Sequence, residues 1–259
     1  MSADSCIGPV AAVSAEGPKI LNLGCGTKTH KDVINIDWSI YLVFRKNKLL
    51  RHIAKPLLSK ERSYRLHITS DSVLVHNLKN GIPFHDSSID GVYHSHFFEH
   101  IDRNLVVPFL KEVHRVLKPG GIHRICVPDL RFLFEKYDRS YAACEKGGDA
   151  SGHDGVIAGI FDQCVRKEAS GTSLQRQPLR MFENIILGDA RRRGETHQWM
   201  YDFFNLKYLL ETNGFENVTR RQFMDSDIVD WEKYGLELDE SGCEYKLDSL
   251  YVECKKTGM

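Results

Sequence analysis

The chain has 259 residues, of which 42% are hydrophobic and 27% charged, so it is long enough to bury a sizeable core. Lys plus Arg and Asp plus Glu number 35 each, and the resulting net charge of zero argues against a general nucleic-acid-binding protein. Neither a membrane span nor a secretory signal is evident, and the 7 cysteines are too scattered for a disulfide framework. We therefore expect a cytoplasmic protein with reduced cysteines and without a membrane span.

The first two predicted strands are close together in the chain. Residues 19–23 form a short apolar strand that ends at Gly24-Cys25-Gly26, and residues 33–37 form the second strand. Only residues 27–32 separate the glycine turn from the second strand, so the helix that usually joins two parallel strands must shrink to about one turn. Residues 1–17 are weakly patterned and are predicted to form a loose leader.

A basic segment follows, in which apolar residues alternate with lysines and arginines. Glu61 is the only carboxylate between residues 39 and 70. A solvated face over a packed apolar stripe is the commonest outcome for such a pattern. An inserted lid is the main alternative, and a membrane-surface helix or a cradle for a phosphorylated substrate also stays open.

The remaining elements alternate between strands and helices. Further strands are predicted at 72–76, 91–94, 122–127, 218–223 and 249–254, and helices at 105–117, 130–137, 156–165 and 203–212. The rest of 145–177 is rich in Gly, Ser and Asp and is predicted to be loop. This order predicts an α/β fold with an open, mostly parallel sheet covered by helices. A ligand should bind beyond the carboxyl ends of the strands, where the strand order reverses.

Glycines after the first strand and an acid at the end of the second form a candidate ligand site. Gly24 and Gly26 let backbone N–H groups approach a ligand closely, and Asp37 can accept hydrogen bonds from both hydroxyls of a ribose. A tight turn without a ligand is the alternative interpretation of so short a glycine pattern. Position 29 is threonine, so the full Gly-x-Gly-x-x-Gly fingerprint is missing, which argues against NAD.

Three further segments are typical of one enzyme family. They are Asn77–Phe84 with Ser88–Tyr93, then Leu110–Gly121 with its Arg-Val-Leu-Lys-Pro-Gly-Gly ending, then Arg124–Leu130. In this order they resemble the class I S-adenosylmethionine-dependent methyltransferases, in the broad group that acts on small molecules and saccharides. The resemblance covers residues 19–130. It implies one domain over residues 1–259, with a doubly wound, mostly parallel seven-stranded Rossmann-like sheet, a C-terminal antiparallel strand and inserted helical lid segments.

The resemblance implies S-adenosylmethionine as the cofactor and assigns residues to it by position. The glycine turn packs against the methionine and ribose parts, Asp37 binds the ribose, and Asn77 lies close to the adenine amine. Ser95 and His96, after the fourth strand, contact the methionine moiety or the acceptor. The implied cofactor site comprises Asn22, Gly24, Cys25, Gly26, Asp37, Trp38, Asn77, Leu78, Ser95 and His96.

Three residues are candidates for a catalytic role on the acceptor side. His96 can act as a base near neutral pH, and a structural histidine is the alternative. His197 and Tyr201 lie at a junction between a loop and a helix, where they could close over an acceptor. A helix cap with a buried tryptophan explains that junction equally well. Residues 131–205 are expected to cover the acceptor.

The segment from His96 to His100 also has the His-x-x-Glu-His order of one class of zinc peptidases. On a helix its three polar residues would share one face, so metal binding is geometrically feasible. The segment follows a strand within a methyltransferase pattern, however, and in that family a Glu-His pair is common at this point. We therefore predict no metal site.

Methyl transfer from a sulfonium is an in-line displacement that requires positioning and no metal. The long chain after the fifth strand favours O-methylation of a small-molecule or saccharide acceptor. The alternatives are N- or C-methylation of an amine or a natural-product scaffold, and a non-catalytic module that only binds the cofactor. No nucleic-acid partner is expected, and a homodimer is kept as an option.

Overall fold

The computed structural model describes residues 17–38, 72–148, 150–164 and 196–258. The basic segment at 39–70, most of the predicted leader and part of the expected acceptor cover lie outside these residues. Every helix within them is too short or too polar to cross a bilayer.

A seven-stranded sheet forms the centre of the fold. Its strands are β1 (Ile20–Leu23), β2 (Ile34–Asp37), β3 (Leu74–Val75), β4 (Ile89–Ser95), β5 (Leu117–Pro128), β6 (Phe215–Arg221) and β7 (Ser249–Lys256). Their spatial order is β3-β2-β1-β4-β5-β7-β6, with β1 to β5 parallel and β7 antiparallel to both of its neighbours. The predicted α/β fold with an antiparallel C-terminal strand is therefore confirmed. Strand order reverses between β1 and β4, where sheets of this kind bind ligands.

The described residues contain four α-helices and three short 3₁₀ turns. The helices are α1 (Arg103–Val116), α2 (Leu130–Glu145), α3 (Ala150–Gln163) and α4 (Phe203–Glu211), and the turns are Leu78–Asn80, Phe98–His100 and Trp231–Tyr234. α1 buries the apolar face that its periodicity predicts. The connection between β1 and β2 contains turns and no helix, as its length requires.

Several element boundaries differ from the prediction, and the structure gives the reason for two of them. β5 begins at Leu117 instead of 122, because Leu117 pairs with Ile89 of β4 before a register shift. α3 begins at Ala150, within a stretch whose glycines and serines predict a loop. His153 of α3 packs its ring against Tyr137 of α2 at 5.2 Å between centroids. Packing between the two helices therefore outweighs the low helix propensity of this segment.

Both faces of the sheet are covered by apolar side chains. Leu21 and Leu23 belong to the larger core, which includes the buried faces of α1 and α4. Ile20 points the other way, into a smaller core in which Tyr93 packs edge-on against Trp231 at 4.8 Å between ring centroids. Burial on both faces explains why the central strands have nearly continuous hydrophobic sequences.

A buried arginine joins the two C-terminal strands to the parallel sheet. Arg124 of β5 is inaccessible to solvent and donates to Glu237 at 2.6 and 2.9 Å and to Glu253 of β7 at 2.9 Å. It also donates to the backbone carbonyls of Asp225 and Gln222. Burial alone would lower the pKa of Arg124, but the hydrogen bonds and charges of the two glutamates raise it. The guanidinium thus holds two buried carboxylates together.

A pair of buried histidines lies between β4 and β5. Nε2 of His94 and Nε2 of His123 are 3.0 Å apart, and both side chains are inaccessible to solvent. Burial lowers the pKa of His94 to about 3 and that of His123 well below its ordinary value. Both rings are therefore neutral in the folded protein at neutral pH.

The histidine pair should make the protein unstable in mild acid. In the unfolded chain both rings take up protons near pH 6.5, whereas in the folded protein they do so only at much lower pH, so stability falls as the pH drops below about 6.5. Between pH 6.5 and 5 each histidine should cost about 2 kcal/mol of unfolding free energy. Urea denaturation of the wild type and His123→Gln across this range measures the effect.

The glutamine variant keeps a hydrogen-bonding side chain beside His94 and removes one titrating ring. Between pH 6.5 and 5, the fall in its unfolding free energy should be smaller than that of the wild type by about 2 kcal/mol. Equal losses in both proteins would show that the pair is not responsible.

Candidate active site

The turn after β1 folds back onto the end of β2. Gly24 and Gly26 have φ values of +64° and +52°, a region that glycine adopts without strain. The N–H of Cys25 donates to the carbonyl of Ile36 at 3.2 Å, and the N–H of Gly26 donates to Oδ2 of Asp37 at 2.7 Å. A Cβ on Gly26 would meet no described atom within 4 Å. The turn therefore presents open backbone beside a carboxylate.

Asp37 is the last residue of β2 and is half-buried. Burial raises the pKa of its carboxyl, while hydrogen bonds from the N–H groups of Gly26 and Trp38 lower it. These two bonds fix the orientation of the carboxylate at the edge of the sheet. The indole of Trp38 beside it is 56% exposed.

Asn22 and Cys25, which the resemblance assigns to the cofactor, have buried side chains. Asn22 is buried and donates to the carbonyl of Lys28 at 2.8 Å and to Oδ1 of Asn35 at 3.1 Å, which holds β1 to β2. Cys25 is also buried, and burial raises the pKa of its thiol, so the sulfur stays protonated. Both side chains therefore lie inside the fold, and the N–H of Cys25 is already hydrogen-bonded to Ile36.

The turn after β3 lies next to the end of β2, because the N–H of His76 donates to the carbonyl of Asp37 at 3.1 Å. Asn77 caps this turn, with Oδ1 accepting from the N–H of Lys79 at 3.0 Å. The oxygen has a second lone pair, so this cap does not preclude the predicted contact with an adenine amine. Leu78 is half-buried and packs against the core.

The loop after β4 begins with Ser95 and His96. His96 has a φ of +48°, which is uncommon for a residue with a side chain, and its N–H donates to the carbonyl of Cys126 at 2.9 Å. Nδ1 of its ring lies 3.3 Å from Oε1 of Glu99, and Nε2 lies 3.0 Å from the hydroxyl of Ser249. The imidazole is therefore held between a carboxylate and a hydroxyl.

Glu99 is fully buried beneath this loop, and neither carboxylate oxygen has a hydrogen-bond partner of good geometry among the described residues. Its nearest polar neighbours are His96 and, at 3.9 Å, Nε2 of His100. Burial alone would raise the pKa of Glu99. The contact with His96 and the charge of His100 outweigh this effect and lower the pKa to about 2. The carboxylate is therefore ionised inside the protein.

A distant segment is attached to the same place through its backbone. The N–H groups of Gln198 and Trp199 donate to the carbonyl of Glu99 at 2.6 and 3.3 Å. Three residues later, the carbonyl of Tyr201 accepts from the N–H of Leu130 at 2.9 Å, which ties the segment to the start of α2. The chain between residues 196 and 201 is thus fixed across the carboxyl ends of β4 and β5.

This attachment brings His197 to His100. Their rings meet edge-on with centroids 4.7 Å apart, and ligand atoms from Glu99, His100 and His197 all lie within 4.8 Å of one another. Nδ1 of His197 lies 2.8 Å from the carbonyl of Gln163, so this nitrogen carries the proton and Nε2 keeps a lone pair. We refer to His96, Glu99, His100 and His197 as the Glu99 cluster.

Tyr201 occupies a different place from the one predicted for an acceptor-side residue. It is 1% exposed, and its ring packs on Phe98 with centroids 5.1 Å apart. Burial raises the pKa of its phenol to about 12, with Arg103 acting in the opposite direction. Tyr201 is therefore a core residue whose phenol stays protonated at neutral pH, which argues against its predicted role as a base.

A comparison with protein-family models finds one description that fits this geometry. Residues 21–125 match a family described as a methyltransferase domain, from β1 into β5. These residues therefore resemble a methyltransferase domain, the family that the sequence motifs predict. The matched residues of this methyltransferase include the glycine turn, Asp37 and three members of the Glu99 cluster, whereas His197 lies outside them. No match is found among curated proteins.

Solved structures with the same kind of fold share little sequence with the methyltransferase. An S-adenosylmethionine-dependent methyltransferase from Methanosarcina mazei is 17% identical, covers 95% of this chain and 96% of its own, and has a TM-score of 0.44. A possible histamine N-methyltransferase from Thermotoga maritima is 16% identical over 93% of this chain and 83% of its own, with a TM-score of 0.41. A methyltransferase from Archaeoglobus fulgidus is 14% identical over 93% and 86%, with a TM-score of 0.39.

The sequence signals account for part of the candidate site. The structure brings the predicted residues Gly24, Gly26 and Asp37 together, and it brings both His96 and His197 close to Glu99. Glu99 and His100 are absent from the predicted site, although their His-x-x-Glu-His motif is visible in the sequence. Their meeting with His197 depends on tertiary contacts that no local pattern reports.

Alanine substitutions at the two turn glycines should separate folding from cofactor binding. A Cβ on Gly24 would lie 2.3 Å from the ring of Phe97, so Gly24→Ala should lower the melting temperature. Gly26→Ala should cost only about 1 kcal/mol of stability for its positive φ. Since the new methyl group would fill the open space beside Asp37, its affinity for S-adenosylhomocysteine should fall at least ~10-fold. Calorimetric titration and thermal unfolding measure both effects.

Gly120→Ala is the matched control, because Gly120 has a φ of +73° and also has no described atom within 4 Å of an added Cβ. This variant should bind S-adenosylhomocysteine as the wild type does. Unchanged affinity in Gly26→Ala would show that the ligand does not approach this glycine.

Proposed function

We propose that this methyltransferase transfers a methyl group to a hydroxyl of a small-molecule or saccharide acceptor. The observation that carries the proposal is the Glu99 cluster at the carboxyl end of β4, beside the glycine turn. A hydroxyl becomes a good nucleophile only when it loses its proton, so O-methylation requires a base at this place. A histidine paired with a buried carboxylate is suited to that task at neutral pH.

The residues at the end of β1 and β2 fit the cofactor. The open space beside Gly26 admits a ligand close to the backbone, and the oriented carboxylate of Asp37 offers acceptors for ribose hydroxyls. When bound, S-adenosylmethionine supplies a methyl group that its sulfonium charge already activates. The contribution of the chain is then to hold the acceptor atom in line with that methyl group and to accept its proton.

The glycine turn packs against the loop that carries the Glu99 cluster. The closeness of Gly24 to the ring of Phe97 leaves no room for a Cβ between them, and Phe97 is the residue that follows His96. The glycine turn and the loop after β4 are therefore neighbours in space. Methyl transfer needs this proximity, since the reacting atoms must approach to about 3 Å.

His96 is the proposed base. Glu99 lies 3.3 Å from Nδ1 and orients the ring, as carboxylates do in other histidine pairs. The hydroxyl of Ser249 donates to the carbonyl of Lys246 at 2.8 Å and therefore accepts from Nε2 of His96 at 3.0 Å. An acceptor hydroxyl that replaces Ser249 at this nitrogen would donate to Nε2 once the ring has lost that proton.

The surroundings suit a small, uncharged ring. Trp199 is 39% exposed, lies two residues from His197 and stacks on the guanidinium of Arg103 at 4.0 Å. Its indole offers a flat apolar surface beside a polar cluster, which is the usual make-up of a small-molecule site. The equal numbers of acidic and basic residues do not favour a polyanionic acceptor such as RNA.

Transfer of a ¹³C-labelled methyl group identifies the acceptor atom. The full chain is incubated with labelled S-adenosylmethionine and panels of saccharides, phenols, amines and carbon acids, and products are examined by mass spectrometry and carbon NMR. An O-methyl product is expected, and kcat should fall by about 100-fold in His96→Gln, because the base is lost. His85→Gln, a change at an exposed histidine, should leave kcat unchanged. N- or C-methyl products alone would overturn the proposal.

Replacement of Asp37 by asparagine tests the cofactor half of the site. An asparagine oxygen can still accept from the N–H of Gly26, but it loses the charge that strengthens hydrogen bonds to a ribose. The affinity for S-adenosylhomocysteine should fall about 10- to 100-fold, as measured by calorimetry. Asp32→Asn, a change at an exposed residue of the preceding loop, should have no effect. Wild-type affinity in Asp37→Asn would remove Asp37 from the cofactor site.

A further inference from the structure

Glu99, His100 and His197 form a group of three metal-ligating side chains. Each offers one ligand atom, and these atoms all lie within 4.8 Å of one another. Glu99 and His100 come from the turn after β4, while His197 arrives about 100 residues later in the chain. The histidines are half-buried and the carboxylate is fully buried, so the group combines a protected anion with access from outside.

The condition of the Glu99 carboxylate indicates that a cation binds beside it. Glu99 is inaccessible to solvent, and both of its oxygens lack a hydrogen-bond partner of good geometry among the described residues. Proteins rarely leave a buried carboxylate in this condition, because its desolvation is expensive unless it is paired or binds a metal. The contact with His96 involves Oε1 only, and Oε2 has no hydrogen-bond partner among the described residues.

The histidine from the distant segment is oriented for coordination. Nδ1 of His197 donates to the carbonyl of Gln163 at 2.8 Å, so the lone pair is on Nε2, the nitrogen opposite. Metal-binding histidines in proteins usually donate their other ring N–H to a carbonyl or carboxylate in this way. The hydrogen bonds from Gln198 and Trp199 to the carbonyl of Glu99 fix the backbone on both sides of the contact.

We propose that Glu99, His100 and His197 bind one divalent transition-metal cation of the zinc type. Two imidazoles and one carboxylate form a donor set that Zn²⁺ prefers, whereas Mg²⁺ favours sites made of oxygen atoms. At bond lengths of about 2.1 Å the ligand atoms would be ~3.4 Å apart, so they must approach by about 1 Å. Small rotations of the two half-buried imidazoles supply that movement.

Three protein ligands leave at least one coordination position for a ligand from outside the chain. On the proposed function, that ligand is the acceptor hydroxyl. A bound cation would make a coordinated hydroxyl more acidic, and Glu99, His100 and His197 would hold that cation. His197 acts in this arrangement as a metal ligand and not as a base.

Metal binding is tested on the full chain without cofactor or acceptor. The protein is dialysed against a chelator and titrated calorimetrically with Zn²⁺, and Co²⁺ is used as a probe of visible absorption. One ion per chain is expected, with the absorption of a four- or five-coordinate Co²⁺ site. Thiolate charge-transfer absorption should be absent, which separates this site from the free cysteines.

His197→Ala is the decisive variant, because it removes one ligand from a half-buried position. Its affinity for Zn²⁺ should fall on the order of 100-fold or more and its Co²⁺ spectrum should disappear. His85→Ala should bind both ions as the wild type does. Circular dichroism verifies that each variant is folded, and Glu99→Gln gives a second test if it folds. Absence of stoichiometric binding, or an unchanged Co²⁺ spectrum in His197→Ala, would overturn the proposal.

Product analysis distinguishes this inference from the proposed function. If the metal binds and the product is methylated on nitrogen or carbon, the site stands and its assignment to a hydroxyl fails. If O-methyl product forms at the same rate in metal-depleted enzyme, the proposed function stands and the catalytic role of the metal falls. The acceptor identified in the panel is then added, without S-adenosylmethionine, to the Co²⁺-loaded protein. A change of the Co²⁺ spectrum supports direct coordination of that acceptor.

Discussion

The proposed acceptor half of the site depends on two hydrogen bonds to one carbonyl, that of Glu99. They attach residues 198 and 199 to the turn that follows β4, and every contact between His197 and the rest of the Glu99 cluster follows from that attachment. Backbone bonds are well suited to this purpose because they hold their geometry whatever the state of the side chains. The charged group beneath them can then bind and release partners while its position stays fixed.

The cofactor half is built differently, from one bond between an N–H and a carboxylate. Gly26 and Asp37 are neighbours because β1 and β2 are adjacent parallel strands whose carboxyl ends coincide. Asn22 strengthens the same pairing from inside, where its amide spans to Asn35. The connection between these two strands, which is described in full, consists of turns, so no helix of its own packs over the glycines.

Much of the fold could be predicted because its information is local. The strand periodicities, the glycine turn and the apolar face of α1 each lie within a dozen residues, and the order of these signals identifies the family. The Glu99 cluster could not be predicted in the same way. Between His100 and His197 the chain forms α1, β5, α2 and α3. The pattern at 96–100 is compatible with a metal site and with a metal-free loop until His197 is found beside it. Tyr201 shows the reverse case. Its position at the end of a loop suggested a place at the acceptor, but its side chain is buried in the core.

The arginine of β5 has a consequence for the way this protein is made. Arg124 needs Glu237 and Glu253 before it can be buried, and these lie 113 and 129 residues later in the chain. Until that segment has been synthesised, the middle of the sheet carries a cation without its counter-ions. Burial of the arginine therefore waits for β7, and shortened forms that stop before β7 should remain substrates for chaperones.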